Sequence, residues 1–147
     1  MNIALSSHDT RKELMIAFCK AHEALLSTHS LIATATTGKV ISGHTNLSVT
    51  NLLSGRQGGI QQLTTRVDFS EIDVVIFFRD NTAYPFTDDE LELMRACDVH
   101  NIPTATNIST AEVLISAIER GEIETAAAKK RRRTVKKERK VVTLRGF

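Results

Sequence analysis

The sequence predicts an α/β protein in which a parallel β-sheet is covered by helices on both faces. Short apolar runs alternate along the chain with segments whose apolar residues recur at helical spacing. The connections between the apolar runs are too long for β-hairpins, which favours parallel pairing of the strands. Residues 72–78 are almost continuously apolar, which is the pattern of a central strand buried on both sides.

The first half of the chain predicts strands followed by helices. Residues 2–6 form a short apolar run, and residues 11–26 carry apolar side chains at helical spacing. Residues 30–33 predict the second strand, and residues 38–42 open a short helical or irregular segment. Residues 46–53 mix residues that favour β-structure with a pair of leucines, and they lead into a glycine-rich loop.

The second half predicts the central strand, a helix, a short strand and a final helix. Thr87 is followed three residues later by Glu90, which predicts a capping box and the first turn of a helix. Residues 102–107 predict a brief strand. Ser109 and Glu112 have the same spacing and predict a second capping box.

Length and composition indicate one domain with an aliphatic core. The chain has 147 residues, of which 41% are hydrophobic and only 5% aromatic. No apolar stretch approaches the roughly 20 residues of a membrane span, and the N-terminus lacks the pattern of a signal peptide, so we expect a cytoplasmic protein. Cys19 and Cys97 lie in amphipathic patterns without the spacing of metal ligands, so we expect buried, reduced thiols.

The small net charge of +2 hides a strong asymmetry along the chain. Residues 1–128 carry 9 Lys and Arg against 16 Asp and Glu, a net charge of −7, whereas residues 129–147 carry 10 against 1, a net charge of +9. We therefore expect a domain of residues 1–125 and a basic, flexible tail of residues 126–147.

The sequence of the tail is compatible with more than one structure and more than one role. Residues 129–140 hold nine cations in twelve positions, so we expect them to be disordered or to form a solvated helix. Residues 141–144 could add a short strand. The tail binds nucleic acid or an anionic lipid surface, lies along the acidic bodies of neighbouring subunits, or is a solvated extension without a partner. No aromatic residue is interleaved with the cations, so stacking on bases has no group to use.

Polar groups that suit a phosphate follow three of the predicted strands and occupy one glycine-rich loop. They are His8, Asp9 and Lys12 after the first strand, Thr34, Thr36, Thr37 and Gly38 after the second, Ser54 and Gly55 in the loop, and Asp80 after the central strand. Each could also belong to an ordinary turn or a solvated helix end. Because the carboxyl ends of parallel strands meet at one edge of a sheet, we expect a pocket that binds a phosphate group there.

Five motifs, in this order, resemble the methylglyoxal synthase family over residues 2 to about 122. They are Ser7-His8-Asp9-x-x-Lys12, Ala33-Thr34-x-Thr36-Thr37-Gly38, Leu53-Ser54-Gly55-x-x-Gly58-Gly59, Ile72-Asp73-Val74-Val75-Ile76-Phe77-Phe78-x-Asp80 and Asn101-Ile102-Pro103-x-Ala105-Thr106-Asn107. The resemblance implies a Rossmann-like three-layer sandwich that assembles as a homohexamer. It also implies a lyase that converts dihydroxyacetone phosphate, through an enediolate, to methylglyoxal and phosphate without a cofactor. Related domains serve as regulatory modules that bind phosphorylated ligands.

The resemblance also implies roles for individual residues. It assigns phosphate binding to a set that we call the candidate cradle, with His8 lining the same site: Lys12, Thr34, Thr36, Thr37, Ser54 and Gly55. It places the carboxylates of Asp9, Asp80 and Asp89 near the reacting end, as tentative catalytic groups. The remaining histidines, His22, His29, His44 and His100, lack the spacing that would gather a metal ion, so we expect no metal site.

Two positions depart from the family pattern at the groups that move protons. The aspartate that abstracts the proton in the family follows the Gly-Gly pair directly, where this sequence has Ile60. The family's histidine after the proline of the next loop, which contacts the substrate oxygen, is matched here by Phe86. The implied synthase activity is therefore weak or lost. The alternative is a non-catalytic regulatory module that binds phosphate or a phosphorylated metabolite and carries a basic tail.

Overall fold

The structure is a computed structural model that describes residues 1–82 and 85–144. Within these residues five strands form one sheet, in which all four pairings are parallel and the order is β3-β2-β1-β4-β5. The strands are β1 (Asn2–Ser7), β2 (Ser30–Ala33), β3 (Val49–Asn51), β4 (Val74–Phe78) and β5 (Thr104–Ala105). The predicted α/β class with a parallel sheet is confirmed.

The helices connect these strands and continue beyond the last one. They are α1 (Lys12–Ala21), α2 (Glu23–Leu26), α3 (Ala35–His44), α4 (Gly59–Asp68), α5 (Asp88–His100), α6 (Ile108–Glu119) and α7 (Ala126–Leu144), with 3₁₀ turns at Asp9–Arg11 and Gly55–Gln57. Among the helices described, none is both long and apolar enough to cross a bilayer.

Alternation of side chains along the strands builds two cores, one on each face of the sheet. On one face Ile3, Leu5 and Ile76 pack with α1, α2, α3 and α6. On the other face Ala4 and Val75 pack with α4, α5 and the start of α7. The sheet is thus the middle layer of three, and its central strands β1 and β4 are buried along almost their whole length.

Strand β1 lies at the centre of the sheet, where the strand order reverses. Leu5 of β1 aligns with Ala33 of β2 on one side and with Ile76 of β4 on the other. In open parallel sheets the crevice at such a point, outside the carboxyl ends of the strands, is where ligands bind. We call this edge of the sheet the carboxyl edge.

Two predicted helices and one predicted strand differ in the structure. The predicted helix of residues 11–26 is interrupted at His22, whose φ of −117° and ψ of 22° separate α1 from α2. The second capping box is wrong, because the side chain of Asn107 caps α6 by accepting a hydrogen bond from the Thr110 amide at 3.0 Å. Residues 141–144 do not form a strand, since they continue α7.

The threonine cluster is part of a helix and not a turn before one. Helix α3 begins at Ala35, so Thr36 and Thr37 lie in its first turn. A Cβ at position 38 would lie 1.7 Å from the side-chain oxygen of Asn51, so a larger residue there would displace that exposed side chain. The strand–helix junction predicted after residue 37 therefore occurs earlier, and the first-turn amides face the carboxyl edge of the sheet.

Candidate functional site

A network of hydroxyl groups joins the ends of β1 and β2. Ser6 Oγ lies 3.0 Å from Thr34 Oγ1, which donates to Thr37 Oγ1 at 3.3 Å. Ser7 Oγ lies 3.4 Å from Thr37 Oγ1. Ser6, Ser7, Thr34 and Thr37 are all buried. The network fixes two of the predicted cradle hydroxyls in one place.

The ammonium of Lys12 is attached to this network. Its Nζ donates to the Ser7 carbonyl oxygen, to Ser7 Oγ at 3.2 Å and to Thr37 Oγ1 at 2.9 Å. Burial lowers the pKa of Lys12 below its ordinary 10.5, and the nearby carboxylate of Asp9 raises it by less. A half-buried cation beside two helix N-termini is the arrangement that an anion would stabilise.

The first turn of α3 supplies backbone donors beside Lys12. Thr34 is the N-cap residue, and the Ala35 amide donates to the carbonyl oxygen of Leu53 at 3.2 Å. An α-helix offers no carbonyl partner to its first amides, so the N–H groups of Thr36 and Thr37 are suited to phosphate oxygens. The Thr36 side chain is exposed at the same turn.

The loop that carries Ser54 and Gly55 is held next to α3 by the bond from Ala35 to Leu53. The Ser54 carbonyl oxygen accepts hydrogen bonds from the amides of Gln57 at 3.0 Å and Gly59 at 2.8 Å. A Cβ on Gly59 would lie 2.0 Å from the carbonyl oxygen of Leu53, so no other residue fits there without moving the loop. The glycine-rich loop thus brings the last part of the candidate cradle to the carboxyl edge.

His8 is engaged through both of its ring nitrogens. The peptide N–H of Asp80 donates to Nδ1 at 2.9 Å, and Nε2 lies 3.0 Å from Glu90 Oε1. Since a peptide N–H can only donate, Nδ1 must be the acceptor, and the proton of a neutral ring is on Nε2, where it is donated to Glu90. The ring also packs edge-on against Phe77, with centroids 5.3 Å apart.

Asp80 is the most heavily bonded of the three predicted carboxylates. Its Oδ2 accepts from Thr10 Oγ1 at 2.7 Å, and its Oδ1 accepts from the amide and the hydroxyl of Thr82 at 3.0 and 2.6 Å. The side chain is almost fully buried. This carboxylate holds the loop after β4 in place, which is a positioning role.

The other two predicted carboxylates are more accessible. Asp9 is exposed in the 3₁₀ turn that precedes α1. Asp89 lies in the first turn of α5 and accepts a hydrogen bond from Gln61 Nε2 at 3.1 Å. This bond ties the start of α5 to the start of α4, one residue beyond Ile60.

Position 60 is part of the apolar core. Ile60 is only 5% exposed and packs in the cluster that contains Ala4, Leu63 and Leu93. A Cβ on Gly55 would lie 3.7 Å from Ile60 Cγ1, so the side chain lies directly under the loop of the candidate cradle. Position 60, which the resemblance matches to the family's base, therefore holds a buried hydrocarbon side chain.

Phe86 interacts with a cation, the guanidinium of Arg79. The guanidinium carbon of Arg79 lies 3.6 Å from the centroid of the Phe86 ring, in a cation–π contact. Phe86 is followed by Thr87, the N-cap of α5, whose predicted capping box with Glu90 is confirmed. Glu90 Oε2 accepts from the Thr87 amide at 3.3 Å, while its other oxygen is bonded to His8.

The structure brings most of the predicted residues to one edge of the sheet. Lys12, Thr34 and Thr37 are bonded together, Ser54 and Gly55 adjoin the same helix end, and His8 and Asp80 are bonded to each other beside β1 and β4. Sequence reasoning missed the supporting residues Ser6, Gln61 and the His8 contact of Glu90. Ser6 could have been found from its place at the end of a buried strand, but nothing local links Glu90 to His8.

Among the described residues, no group of three or more His, Cys, Asp or Glu side chains is arranged to hold a metal ion. His22 instead pairs with Glu112 at 2.9 Å and His100 with Asp68 at 3.1 Å, both near the surface. Cys19 and Cys97 are buried and unlinked, as predicted.

Comparison with known proteins identifies the family. A model of the MGS-like domain matches residues 14–106. The methylglyoxal synthases of Alkaliphilus metalliredigens and Caldicellulosiruptor saccharolyticus are 53% and 52% identical to this chain, each over 84% of it and over 93% and 88% of their own lengths. The crystal structure of methylglyoxal synthase from Elizabethkingia anophelis NUHP1 shares 39% identity with a TM-score of 0.74, covering 78% of this chain and 76% of that one. The predicted resemblance is confirmed, and the chain belongs to the methylglyoxal synthase family.

Proposed function

We propose that the candidate cradle binds dihydroxyacetone phosphate or a closely related phosphorylated metabolite, and that the chain converts it to methylglyoxal slowly or not at all. One observation carries this proposal. The hydroxyls, the Lys12 ammonium and the first turn of α3 converge at the carboxyl edge, while the adjoining position 60 is buried isoleucine.

Phosphate binding is supported by charge and by hydrogen-bond geometry. Lys12 supplies a cation whose burial is unfavourable without an anion nearby, and Thr37 positions it. The first-turn amides of α3 and the loop at Ser54 add donors that need no rearrangement to meet phosphate oxygens. These groups bind a phosphoryl group equally well before and after any reaction.

Weak turnover is supported by the lack of a proton acceptor at the family's base position. A positioned general base contributes about 10² to 10⁴ in rate, which is about 3 to 5.5 kcal/mol of barrier lowering. Ile60 cannot supply it. His8 has a bonding partner at each ring nitrogen, and the carboxylate of Asp80 already accepts three hydrogen bonds.

Asp9 and Asp89 are the remaining carboxylates that could remove a proton. Asp89 adjoins position 60 through Gln61, so it is the better placed of the two. An aspartate in a new position must reach the correct hydrogen of the substrate, and a displacement of even 1 Å costs a large part of the rate. Any residual activity is therefore expected to depend on Asp89.

The second candidate function is a non-catalytic module that senses phosphate or a phosphorylated metabolite. The apolar side chains at positions 60 and 86 favour it, since both remove a proton-transfer group and leave the candidate cradle intact. On this view the division into a domain of residues 1–125 and a basic tail separates ligand binding from contact with other molecules.

We further infer, from the family, that the chain assembles as a homohexamer. We also infer that it is a cytoplasmic protein. Exposed apolar side chains on the body support an interface. Phe69 is 67% exposed, Leu91 is 50% exposed and Leu53 is 48% exposed. Sedimentation analysis of the purified chain tests this assembly, and a monomer at micromolar concentration contradicts it.

Turnover of dihydroxyacetone phosphate separates the two functions. The purified chain and the Alkaliphilus metalliredigens methylglyoxal synthase are incubated with the substrate, methylglyoxal is quantified, and the rate without protein is subtracted. We expect a kcat about 10² to 10⁴ lower than that of the relative if a base is missing. A rate above background that disappears in Asp89→Asn supports a slow synthase, a rate equal to background supports the sensor, and a rate equal to the relative's contradicts both.

A further inference from the structure

Helix α7 leaves the body of the protein from the edge opposite the candidate cradle. Its first residue, Ala126, is buried, and the Ala126 amide donates to Asp73 Oδ1 at 2.7 Å. Asp73 directly precedes β4, so this anchor lies at the amino ends of the strands. Lys129 Nζ donates to the carbonyl oxygen of Asn101, and from residue 130 to residue 141 every side chain is exposed. The helix thus projects into solvent beyond its first turn.

The exposed part of α7 is a dense line of positive charge. Residues 129–140 hold nine cations and one carboxylate, Glu138. At a rise of about 1.5 Å per residue these twelve residues span about 17 Å, or about one cation every 2 Å. Double-stranded nucleic acid carries about one negative charge per 1.7 Å of its axis. The helix as a whole, counting cations on all of its sides, therefore has a linear charge density close to that of a duplex.

Five of the cations share one side of the helix, which we call the basic face. Their spacing of three and four residues places them together, and they line one shallow surface of α7: Lys130, Arg133, Lys136, Lys137 and Lys140. Like charges at this spacing destabilise a helix, so a polyanion along the basic face would stabilise it.

Charge complementarity therefore selects the partner, and we propose that α7 binds the phosphate backbone of a nucleic-acid duplex through its basic face, independently of base sequence. The segment has no aromatic side chain for stacking on unpaired bases, which favours a duplex over a single strand.

Two other anionic partners fit the helix less well. A membrane-surface helix needs an apolar face rich in large side chains, whereas residues 130–141 contain only two apolar residues, Val135 and Val141, each 45% exposed. The bodies of other copies are acidic, but their 16 carboxylates are spread over 128 residues. Neither offers the continuous charge of a duplex.

Duplex binding by the full-length chain tests the proposal. Fluorescence anisotropy with a labelled duplex of about 20 base pairs is measured over a series of salt concentrations. We expect saturable binding with a log–log salt slope of about −4 to −5, because five cations contribute about −0.9 each. Two duplexes of unrelated sequence should bind within threefold of each other.

A test variant that removes three cations of the basic face combines Arg133→Gln, Lys137→Gln and Lys140→Gln. It should bind at least tenfold more weakly at 0.1 M salt, with a slope shallower by about 2 to 3. The matched control, Lys20→Gln with Arg95→Gln and Arg120→Gln, removes the same charge from exposed positions of the body and should bind as the parent does. Equal melting temperatures establish that both proteins are folded.

Three results would overturn the proposal. The first is no binding of the duplex at 50 mM salt, and the second is an equal loss of affinity in the variant and its control. The third is that the variant binds the duplex as the parent does but loses another interaction. That interaction would be either co-sedimentation with vesicles that contain anionic lipid or self-association of the chain. Because α7 and the candidate cradle lie at opposite edges, none of these results bears on metabolite binding.

Discussion

Glu90 Oε1 lies 3.0 Å from His8 Nε2, although the two residues are 82 positions apart in the sequence. The same side chain closes the capping box of α5 through its other oxygen. One carboxylate therefore fixes the start of a helix and the orientation of a ring at the end of β1. The Asp80 amide completes the arrangement by donating to His8 Nδ1 at 2.9 Å.

We expect Glu90→Ala to lower the free energy of unfolding by about 1 to 3 kcal/mol, because it leaves two donors without their buried partner. Urea denaturation measures the change. Glu92→Ala is the matched control on the same helix, since Glu92 is exposed and pairs with the equally exposed Arg95, and it should cost less than about 0.5 kcal/mol. Equal losses in the two variants would mean that the contact between Glu90 and His8 contributes nothing.

Introducing at positions 60 and 86 the proton-transfer groups that the family resemblance implies there should raise turnover. We expect Ile60→Asp combined with Phe86→His to raise the production of methylglyoxal from dihydroxyacetone phosphate by about 10² or more. Ile60→Asn with Phe86→His is the control, since an asparagine side chain is similar to aspartate in size and polarity but cannot act as a base. Both variants should lose stability, because a polar group enters an apolar cluster. If the two variants have equal activity, position 60 does not hold the missing base.

Phosphate binding should depend on pH through Lys12. Burial lowers the pKa of Lys12 below 10.5, so the ammonium loses its proton earlier on raising the pH than an exposed lysine does. The affinity for inorganic phosphate should then fall at alkaline pH, with an onset below 10.5. Between the lowered pKa and 10.5 the unfolded chain binds more protons than the folded one, so Lys12 makes the unfolding free energy rise with pH. Calorimetric titration with inorganic phosphate at a series of alkaline pH values up to 10.5 measures this fall. A constant affinity for phosphate over these pH values would contradict the role of Lys12.

The loop at Ser54 should depend on Gly59. We expect Gly59→Ala to displace the loop and to weaken phosphate binding, since the new Cβ would meet the Leu53 carbonyl oxygen at 2.0 Å. Gly43→Ala is the control, because nothing lies within 4 Å of a Cβ there and alanine favours the helix α3. The control should unfold at a slightly higher urea concentration and bind phosphate normally. Normal binding by Gly59→Ala would exclude the loop from the site.

The two thiols should be unreactive in the folded protein. Burial, assisted by the nearby charge of Glu23, raises the pKa of Cys19 to about 12, and burial also raises the pKa of Cys97. A chromogenic disulfide reagent should therefore modify neither residue at neutral pH until urea unfolds the chain. Rapid modification of the native protein would mean that at least one thiol is accessible.

The fold could be predicted because its evidence is local. The buried run at residues 72–78, the helical spacing after each strand and the capping residue Thr87 each specify an element without reference to the rest of the chain. The boundary errors have local causes too. Asn107 and Ser109 both suit a helix cap, and only the conformation of the backbone decides between them.

The proximity of the candidate residues was predicted in part, because strand ends meet at one edge in any parallel sheet. That rule brings Lys12 and the threonines together, but it does not specify hydrogen bonds between distant elements. The bond between Glu90 and His8, and the one between Gln61 and Asp89, arise from the packing of α4 against α5 and against the sheet. No spacing in the sequence reports such contacts.

Calorimetric titration of the parent chain and Lys12→Met with dihydroxyacetone phosphate at pH 7.5 tests the central claim most directly. The account predicts saturable binding at one site per chain in the parent, and binding at least tenfold weaker in a folded Lys12→Met, because the anion loses its buried cation. Absence of binding by the parent, or equal affinity in the two proteins, would contradict it.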